Sequence, residues 1–114
     1  MARKSTTYDP FNAVAEPKRR LILETIARNK ELSVNDIVQL LKRPQPMISK
    51  HLSVLKTVGL VNESRVGRLR LYRVNPKQLK LIHDWVTPFE RSWNESFDRI
   101  DEMYKDFEIR KKQQ

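Results

Sequence analysis

Only two glycines, Gly59 and Gly67, occur among the 114 residues of this chain, and this scarcity constrains what the chain can fold into. A loop that cradles phosphate groups needs several neighbouring positions with positive φ or close backbone approach, which two isolated glycines cannot supply. The sequence therefore argues against a P-loop or a Rossmann nucleotide site. It also has no cysteine and only two histidines, which argues against disulfides, thiolate metal sites and a histidine-rich metal cage.

Each glycine falls at the end of a predicted element. Gly59 follows a helical pattern over residues 45–58 and is expected to close that helix as a left-handed C′ residue. Gly67-Arg68 separates two short apolar runs, residues 60–66 and 69–74, which together predict a β-hairpin. Asn75-Pro76 ends the hairpin, so the second half of the chain begins with a strand pair and continues into a new element.

Three more helices are predicted before residue 45. Asp9-Pro10 is typical of an N-cap followed by proline at the first helical position, and Pro17 repeats that signal. Ser33–Asp36 has the form of a capping box, and Pro44 ends the helix that this box begins. The second helix has apolar residues that cluster at helical spacing, namely Leu21, Ile22, Leu23, Ile26 and Ala27. The third helix is expected to bury Ile37, Val38, Leu40 and Leu41.

The positive charge is concentrated in one part of the chain. The net charge is +9; residues 16–80 carry 15 Lys and Arg against 5 Asp and Glu, whereas residues 81–114 carry 6 against 8. A merely solvated surface spreads such an excess more evenly. The charge distribution therefore predicts a polyanionic partner for the first two-thirds of the chain.

The last third of the chain has the pattern of an amphipathic helix. Large apolar residues step by 4, 3, 4, 4, 3, 4 and 3 from Ile82 to Phe107, near the 3.6-residue helical period; Thr87-Pro88 is either a kink or a fresh N-cap within it. Because the earlier elements already supply a core, this stripe needs a partner surface, and a second copy of the chain is the simplest one. The expected dimer interface comprises Ile82, Val86, Phe89, Trp93, Phe97, Ile100 and Tyr104.

Helices followed by a basic hairpin have the order of a winged helix-turn-helix. The predicted fold class is therefore mainly α with a small β-hairpin and a long C-terminal dimerisation helix. In such a fold, the recognition helix enters the major groove and a cationic wing meets the flanking phosphates. The expected DNA-contacting residues are Gln45, Pro46, Met47, Ser49, Lys50, His51, Ser53, Arg65, Arg68 and Arg70.

These residues have different expected roles. Gln45 can pair with an adenine edge, and Met47 can contact a thymine methyl group. Arg68 suits either a minor-groove or a phosphate contact. His51 is open between a half-buried packing role and DNA contact. It is not expected to form a catalytic pair with Ser49, because residues two apart on a helix do not face each other. We therefore do not expect this protein to be an enzyme.

The domain organisation follows from these elements. We expect a flexible N-terminus (1–8), a DNA-binding domain (9–75), a dimerisation helix (76–107) and a flexible tail (108–114). Val58–Val61, the longest apolar run, is far shorter than the ~18 residues of a membrane span. No signal-peptide h-region follows Arg3 and Lys4. A cytoplasmic protein is therefore expected.

Several motifs together resemble the ArsR family of bacterial repressors. The resemblance covers about residues 10–107 and is carried by Glu16–Arg19 with Leu21–Leu23, Glu31–Ile37, Gln45–Lys56 with Gly59–Val61, and Gly67-Arg68 with Leu71–Pro76. It implies a homodimer that represses transcription from an operator and releases it on a signal.

The resemblance does not extend to the metal-binding residues of many members. Ser33 and Asn35 stand where sensing cysteines would be, and His83-Asp84 lacks a second downstream histidine. The aromatic pattern of Trp85-Val86, Phe89-Glu90 and Trp93 resembles a metal-independent branch. We therefore expect no metal or other cofactor, and an inducer of unknown identity.

The sequence thus predicts a homodimeric transcriptional repressor that binds an inverted-repeat operator in double-stranded DNA. Two alternatives from other classes stay open. One is a non-specific or architectural nucleic-acid binder, and the other is a protein-interaction adaptor on a winged-helix scaffold.

Overall fold

The computed structural model of the chain describes residues 8–113, so most of the predicted flexible N-terminus lies outside the described residues. The elements follow in the order α1 (Pro10–Ala15), α2 (Pro17–Asn29), β1 (Glu31–Leu32), α3 (Val34–Leu41), α4 (Gln45–Thr57), β2 (Val61–Val66), β3 (Leu69–Val74) and α5 (Pro76–Gln113). This is the predicted winged helix-turn-helix: mainly helical, with a small sheet and a long C-terminal helix. The chain forms two compact units that meet in sequence between Ile82 and His83.

The predicted helix ends are confirmed by their caps. The backbone N–H of Asn12 donates to the Asp9 carboxylate at 2.9 Å and starts α1. Ser33 and Asp36 form the predicted capping box of α3: the Asp36 N–H donates to Ser33 Oγ at 3.2 Å, and the Ser33 N–H donates to the Asp36 carboxylate at 2.9 Å. The starts of α1 and α3 are therefore encoded locally.

A single core lies beneath the helices and sheet of the first unit. Ile22 and Ile26 of α2, Ile37 of α3 and the α4 residues Ile48, Leu52 and Leu55 are almost fully buried. One residue that the third helix is predicted to bury, Leu40, is exposed instead, and Leu21 and Ala27 of the α2 cluster are exposed as well. Leu40 is 55% exposed because α3 turns only one face to the core, and Ile37, Val38 and Leu41 occupy that face.

The sheet has one strand that the sequence did not predict. Its order is β1-β3-β2, and β1 pairs Glu31 with Arg73 and Leu32 with Tyr72 in antiparallel register. Two residues cannot display an alternating pattern, so β1 becomes recognisable only beside β3. The predicted β2–β3 hairpin is confirmed, with Val66 opposite Leu69 across its turn.

The end of α4 is held by a tight network. Gly59 has φ of 78°, and the N–H of Leu60 donates to the Leu55 carbonyl at 2.9 Å, which is the Schellman arrangement. The side-chain amides of Asn75 and Gln78 donate to the carbonyls of Gly59 and Val58, each at 2.9 Å. These bonds satisfy carbonyls that a helix end otherwise leaves without partners.

Helix α5 is longer than predicted and has no internal end. It continues through Pro88, so the alternative of a fresh N-cap there is wrong, and it extends to Gln113, past the predicted limit at residue 107. Thr87 Oγ1 donates to the His83 carbonyl at 2.6 Å just before the proline. In the described part of the chain, no helix is both long and apolar enough to cross a membrane.

Candidate nucleic-acid interface

Helix α4 presents a polar face opposite its buried one. Ile48, Leu52 and Leu55 point into the core, which fixes the rotation of the helix about its axis. Gln45, Pro46, Lys50 and Ser53 are consequently exposed, and Ser49 is half-buried. Gln45 Nε2 donates to Ser49 Oγ at 3.2 Å, one helical turn away. Four of the predicted DNA-contacting residues of α4 thus share one accessible surface, which we call the recognition face (Gln45, Ser49, Lys50 and Ser53).

Met47 and His51 lie at the margins of the recognition face. Met47 is half-buried and packs against the core, which leaves only part of its side chain for the predicted thymine contact. His51 is also half-buried, and its Nδ1 lies 3.5 Å from Arg19 Nη1. Arg19 in turn donates to the Ala13 carbonyl at 2.7 Å, so His51 faces the junction of α1 and α2.

The surroundings of His51 disfavour its charged form. Burial, followed by the positive charge of Arg19, lowers the pKa of His51 below its ordinary value of 6.5. An uncharged imidazole adds little to phosphate binding at neutral pH. Together with its half-buried position beside Arg19, this favours the packing role of His51 over a phosphate contact.

The wing, formed by β2 and β3 (residues 61–74), carries the predicted arginines. Arg65 and Arg70 are directly opposite each other in the ladder, an arrangement in which like charges repel. Arg68 follows Gly67, whose φ of 63° starts a two-residue turn at the wing tip. Within the described residues, Arg65 and Arg68 have no side-chain partner. The wing is thus a cationic surface that an anion would stabilise.

A groove separates the recognition face from the wing. Its volume is about 320 Å³, and the residues that line it are Val34, Gln45, Ser49, Ser53, Lys56, Glu63, Arg70 and Tyr72. The groove therefore brings together three predicted residues of α4 with one predicted arginine of the wing. The groove thus places hydrogen-bonding side chains of α4 next to a cationic side chain of the wing.

The floor of this groove holds a carboxylate that the sequence did not single out. Glu63 Oε2 accepts from Lys56 Nζ at 2.8 Å and from the Tyr72 hydroxyl at 3.3 Å, and Glu63 Oε1 lies 3.7 Å from Arg70 Nε. The hydrogen bond from Lys56 holds the pKa of Glu63 below its ordinary value. Burial, then the neighbouring Glu63 charge, raises the pKa of Tyr72. The one feature of the sequence that could have pointed to Glu63 is its position two residues after the buried Val61, which places both side chains on the same face of β2.

The second unit carries most of the predicted dimer stripe. Phe97, Ile100 and Tyr104 are 60–64% exposed, and Phe89 and Trp93 about half exposed. Val86 is half-buried, and Ile82, which belongs to the first unit, is also half-buried. The Phe89 ring stacks with that of Trp93 at a centroid distance of 6.5 Å. Dimerisation through this stripe stays a prediction.

Ser33 and His83, which the resemblance places at metal-ligand positions, make other contacts in the structure. Ser33 is engaged in the capping box of α3 with Asp36. His83 Nδ1 lies 3.5 Å from Asp84 Oδ1, and both side chains are exposed. No three His, Cys, Asp or Glu side chains cluster as metal ligands among the residues that the structure describes.

Comparison with known proteins supports the same type of domain. The sequence profile of the family "Bacterial regulatory protein, arsR family" matches residues 16–63. An uncharacterized HTH-type transcriptional regulator of Methanocaldococcus jannaschii is 38% identical over 72% of this chain and 92% of its own length. The transcriptional repressor SdpR of Bacillus subtilis is 29% identical over 69% of this chain and 87% of its own. An ArsR-like transcriptional regulator from Rhodococcus sp. RHA1 has a similar structure, with a TM-score of 0.63 at 26% identity, covering 82% of this chain and 87% of that one.

Proposed function

Because the chain belongs to the ArsR family of DNA-binding transcriptional regulators, we propose that it is a homodimeric repressor that binds an inverted-repeat operator in double-stranded DNA. The observation that carries this proposal is the groove between the recognition face and the wing. The groove brings uncharged hydrogen-bonding groups on α4 next to Arg70 of the wing, and two further wing arginines outside the groove, Arg65 and Arg68, have no partner among the described side chains. Repression is the activity named for a similar protein, SdpR, and the cytoplasm is the proposed location.

The two sides of the groove have separate roles in this proposal. Gln45, Ser49 and Ser53 face base edges in the major groove, where side-chain amides and hydroxyls discriminate between base pairs. Lys50 and the wing arginines Arg65 and Arg68 neutralise phosphates, which supplies affinity but little sequence information. Arg70 joins them once its contact with Glu63 is exchanged for a phosphate.

We infer dimerisation from the exposure of the apolar stripe on α5. The described residues of the second unit all belong to α5, so this unit has no core of its own. A lone amphipathic helix cannot bury Phe97, Ile100 and Tyr104, whereas a two-fold axis presents the same stripe on both copies. Residues 81–114 are nearly balanced in charge, so two copies of this helix repel each other little. We therefore propose a second copy of this chain as the occupant.

The most direct test is selection of bound sequences from random duplex DNA, followed by titrations at several salt concentrations. We expect an inverted repeat with half-sites about 10 base pairs apart, bound at least ~10³-fold more tightly than random duplex. Binding of both DNAs within about tenfold would identify a non-specific or architectural binder instead. No binding of any duplex at ~100 mM salt would favour a protein-interaction adaptor.

A further inference from the structure

Glu63 is an unexpected group to find in a groove proposed for DNA. It lies on β2, on the side of the wing that lines the groove, and its side chain is 11% exposed. Its carboxylate contacts donors on two other elements: Lys56 in the last turn of α4, and Arg70 and Tyr72 on β3. A negative charge that faces a polyanion is unfavourable, so the presence of Glu63 in the groove requires an explanation.

The contacts of Glu63 determine where two cations point. Lys56 Nζ is 2.8 Å from one carboxylate oxygen, and Arg70 Nε is 3.7 Å from the other. Lys56 therefore reaches from α4 toward β2, Arg70 is held by the neighbouring strand, and both cations are partly neutralised before any DNA arrives. A phosphate that enters the groove must compete with the carboxylate for the same two groups.

Specific and non-specific complexes respond differently to this competition. Non-specific binding depends mainly on available positive charge, so a carboxylate that occupies two cations weakens it. A specific complex also requires the cations to be oriented toward fixed phosphates while the recognition face reads bases. When the protein binds its operator, the gain from correctly oriented cations therefore offsets part of the electrostatic cost of the Glu63 carboxylate. On random DNA there is no such gain.

We propose that Glu63 is a positioning residue that sets DNA specificity: it orients Lys56 and Arg70 for the operator and withholds them from other duplexes. This inference rests on the proposed function, since it assigns a role within the same groove. It predicts that loss of the negative charge increases affinity for random DNA and decreases discrimination.

The chain offers a matched control for this carboxylate. Glu31 also pairs with a wing arginine, with Glu31 Oε2 3.9 Å from Arg73 Nε. Arg73 neighbours Tyr72 on β3, and adjacent strand residues point to opposite faces, so the Glu31–Arg73 pair lies on the other side of the sheet from the groove. Glu63→Gln and Glu31→Gln change the net charge of the protein equally, but only Glu63→Gln changes the groove.

The experiment measures binding of a random-sequence duplex and of the selected operator between 50 and 300 mM salt. For Glu63→Gln we expect random-duplex affinity to rise roughly fivefold to tenfold at 0.1 M salt, and the salt slope to steepen by about one unit, as for one more phosphate contact. The ratio of operator to random affinity should fall. Glu31→Gln is expected to change each quantity less than twofold.

Other outcomes separate this inference from its alternatives. Equal effects of the two variants, or weaker binding of both DNAs by Glu63→Gln with an unchanged slope, would reduce Glu63 to a structural link between α4 and the wing. Should the wild-type protein bind no duplex, the proposed function fails, and this inference with it. If the wild-type protein binds its operator and Glu63→Gln has the same affinities and salt slope as the wild type, only the role proposed for Glu63 is overturned, and the proposed function stands.

A second variant separates charge from position in case Glu63→Gln unfolds. Glu63→Asp keeps the negative charge in the groove, where it still attracts both cations, but shortens the side chain by one methylene, so the carboxylate no longer holds the cations in their wild-type positions. We expect wild-type affinity for random duplex and a several-fold loss of operator affinity. Unchanged operator affinity in a folded Glu63→Asp protein would contradict the positioning role.

Discussion

At the scale of single residues, base reading depends most directly on Gln45, which lies exposed in the first turn of α4 and at the edge of the groove. Replacement of Gln45 by alanine removes a side chain that can pair with adenine. We expect a loss of about 1–3 kcal/mol on the operator with random-duplex affinity unchanged, measured by titration of both DNAs. Gln39→Ala, an exposed glutamine on α3, is the control; equal losses on both DNAs for Gln45→Ala would remove it from base reading.

Arg68 is expected to act through charge alone. It lies at the wing tip without a partner among the described side chains, so Arg68→Ala removes one phosphate contact. Affinity for operator and random duplex should decrease by similar factors, and the salt slope should decrease by about one unit. Arg73→Ala, which removes an arginine paired with Glu31, should reduce the slope less. A sequence-dependent loss for Arg68→Ala would instead indicate base readout in the minor groove.

His51 links stability to pH through its half-buried position beside Arg19. The folded state lowers the pKa of His51 below 6.5, so the unfolded state takes up a proton first as the pH falls. This contribution is absent above about pH 6.5 and becomes destabilising below it. Denaturant unfolding at pH 7.5, 6.5 and 5.5 should show a smaller decrease in the free energy of unfolding for His51→Gln than for the wild type. Identical decreases would contradict the assignment.

At the scale of elements, Gly59 determines how α4 ends. Its φ of 78° lies in the left-handed region, and an added Cβ would meet the Gln78 side chain at 3.3 Å. We expect Gly59→Ala to lower the free energy of unfolding by about 1–2 kcal/mol from backbone strain, with a further loss from displaced Gln78. Gly67→Ala has similar backbone strain but open space around its Cβ, so it should cost less. Denaturant titration compares the two; equal losses would mean that Gln78 adapts freely.

The same elements explain which features the sequence could predict. Asp9, Ser33 and Gly59 act on backbone groups within a few residues, so their caps can be read from local sequence. Strand β1 exists only because β3 offers it a ladder. Glu63 has the same origin: its role depends on which face of β2 it occupies and on the last turn of α4 nearby. Neither relation leaves a periodic pattern in the chain.

At the scale of the whole molecule, operator binding is expected to require two copies of the chain. Trp93 is 51% exposed at the centre of the apolar stripe and stacks with Phe89. An aspartate there places a charge in the proposed interface, so Trp93→Asp should be monomeric by sedimentation and lose operator binding.

The adjacent residue provides the control for this change. Asn94 is exposed and lies off the stripe, so Asn94→Asp adds the same charge and should keep both the dimer and operator binding. An intact dimer in Trp93→Asp would place the interface on another surface.

The amide bonds from Asn75 and Gln78 to the end of α4 have a consequence for the thermodynamics of association. A helix whose last carbonyls are satisfied by its own protein is ordered before it meets a ligand, so no coupled folding of α4 accompanies binding. Segments that fold on binding lose conformational entropy at that moment and show a large negative heat-capacity change. Here the ordering of α4 belongs to folding, and the heat capacity of binding should reflect only the surfaces that protein and DNA bury against each other.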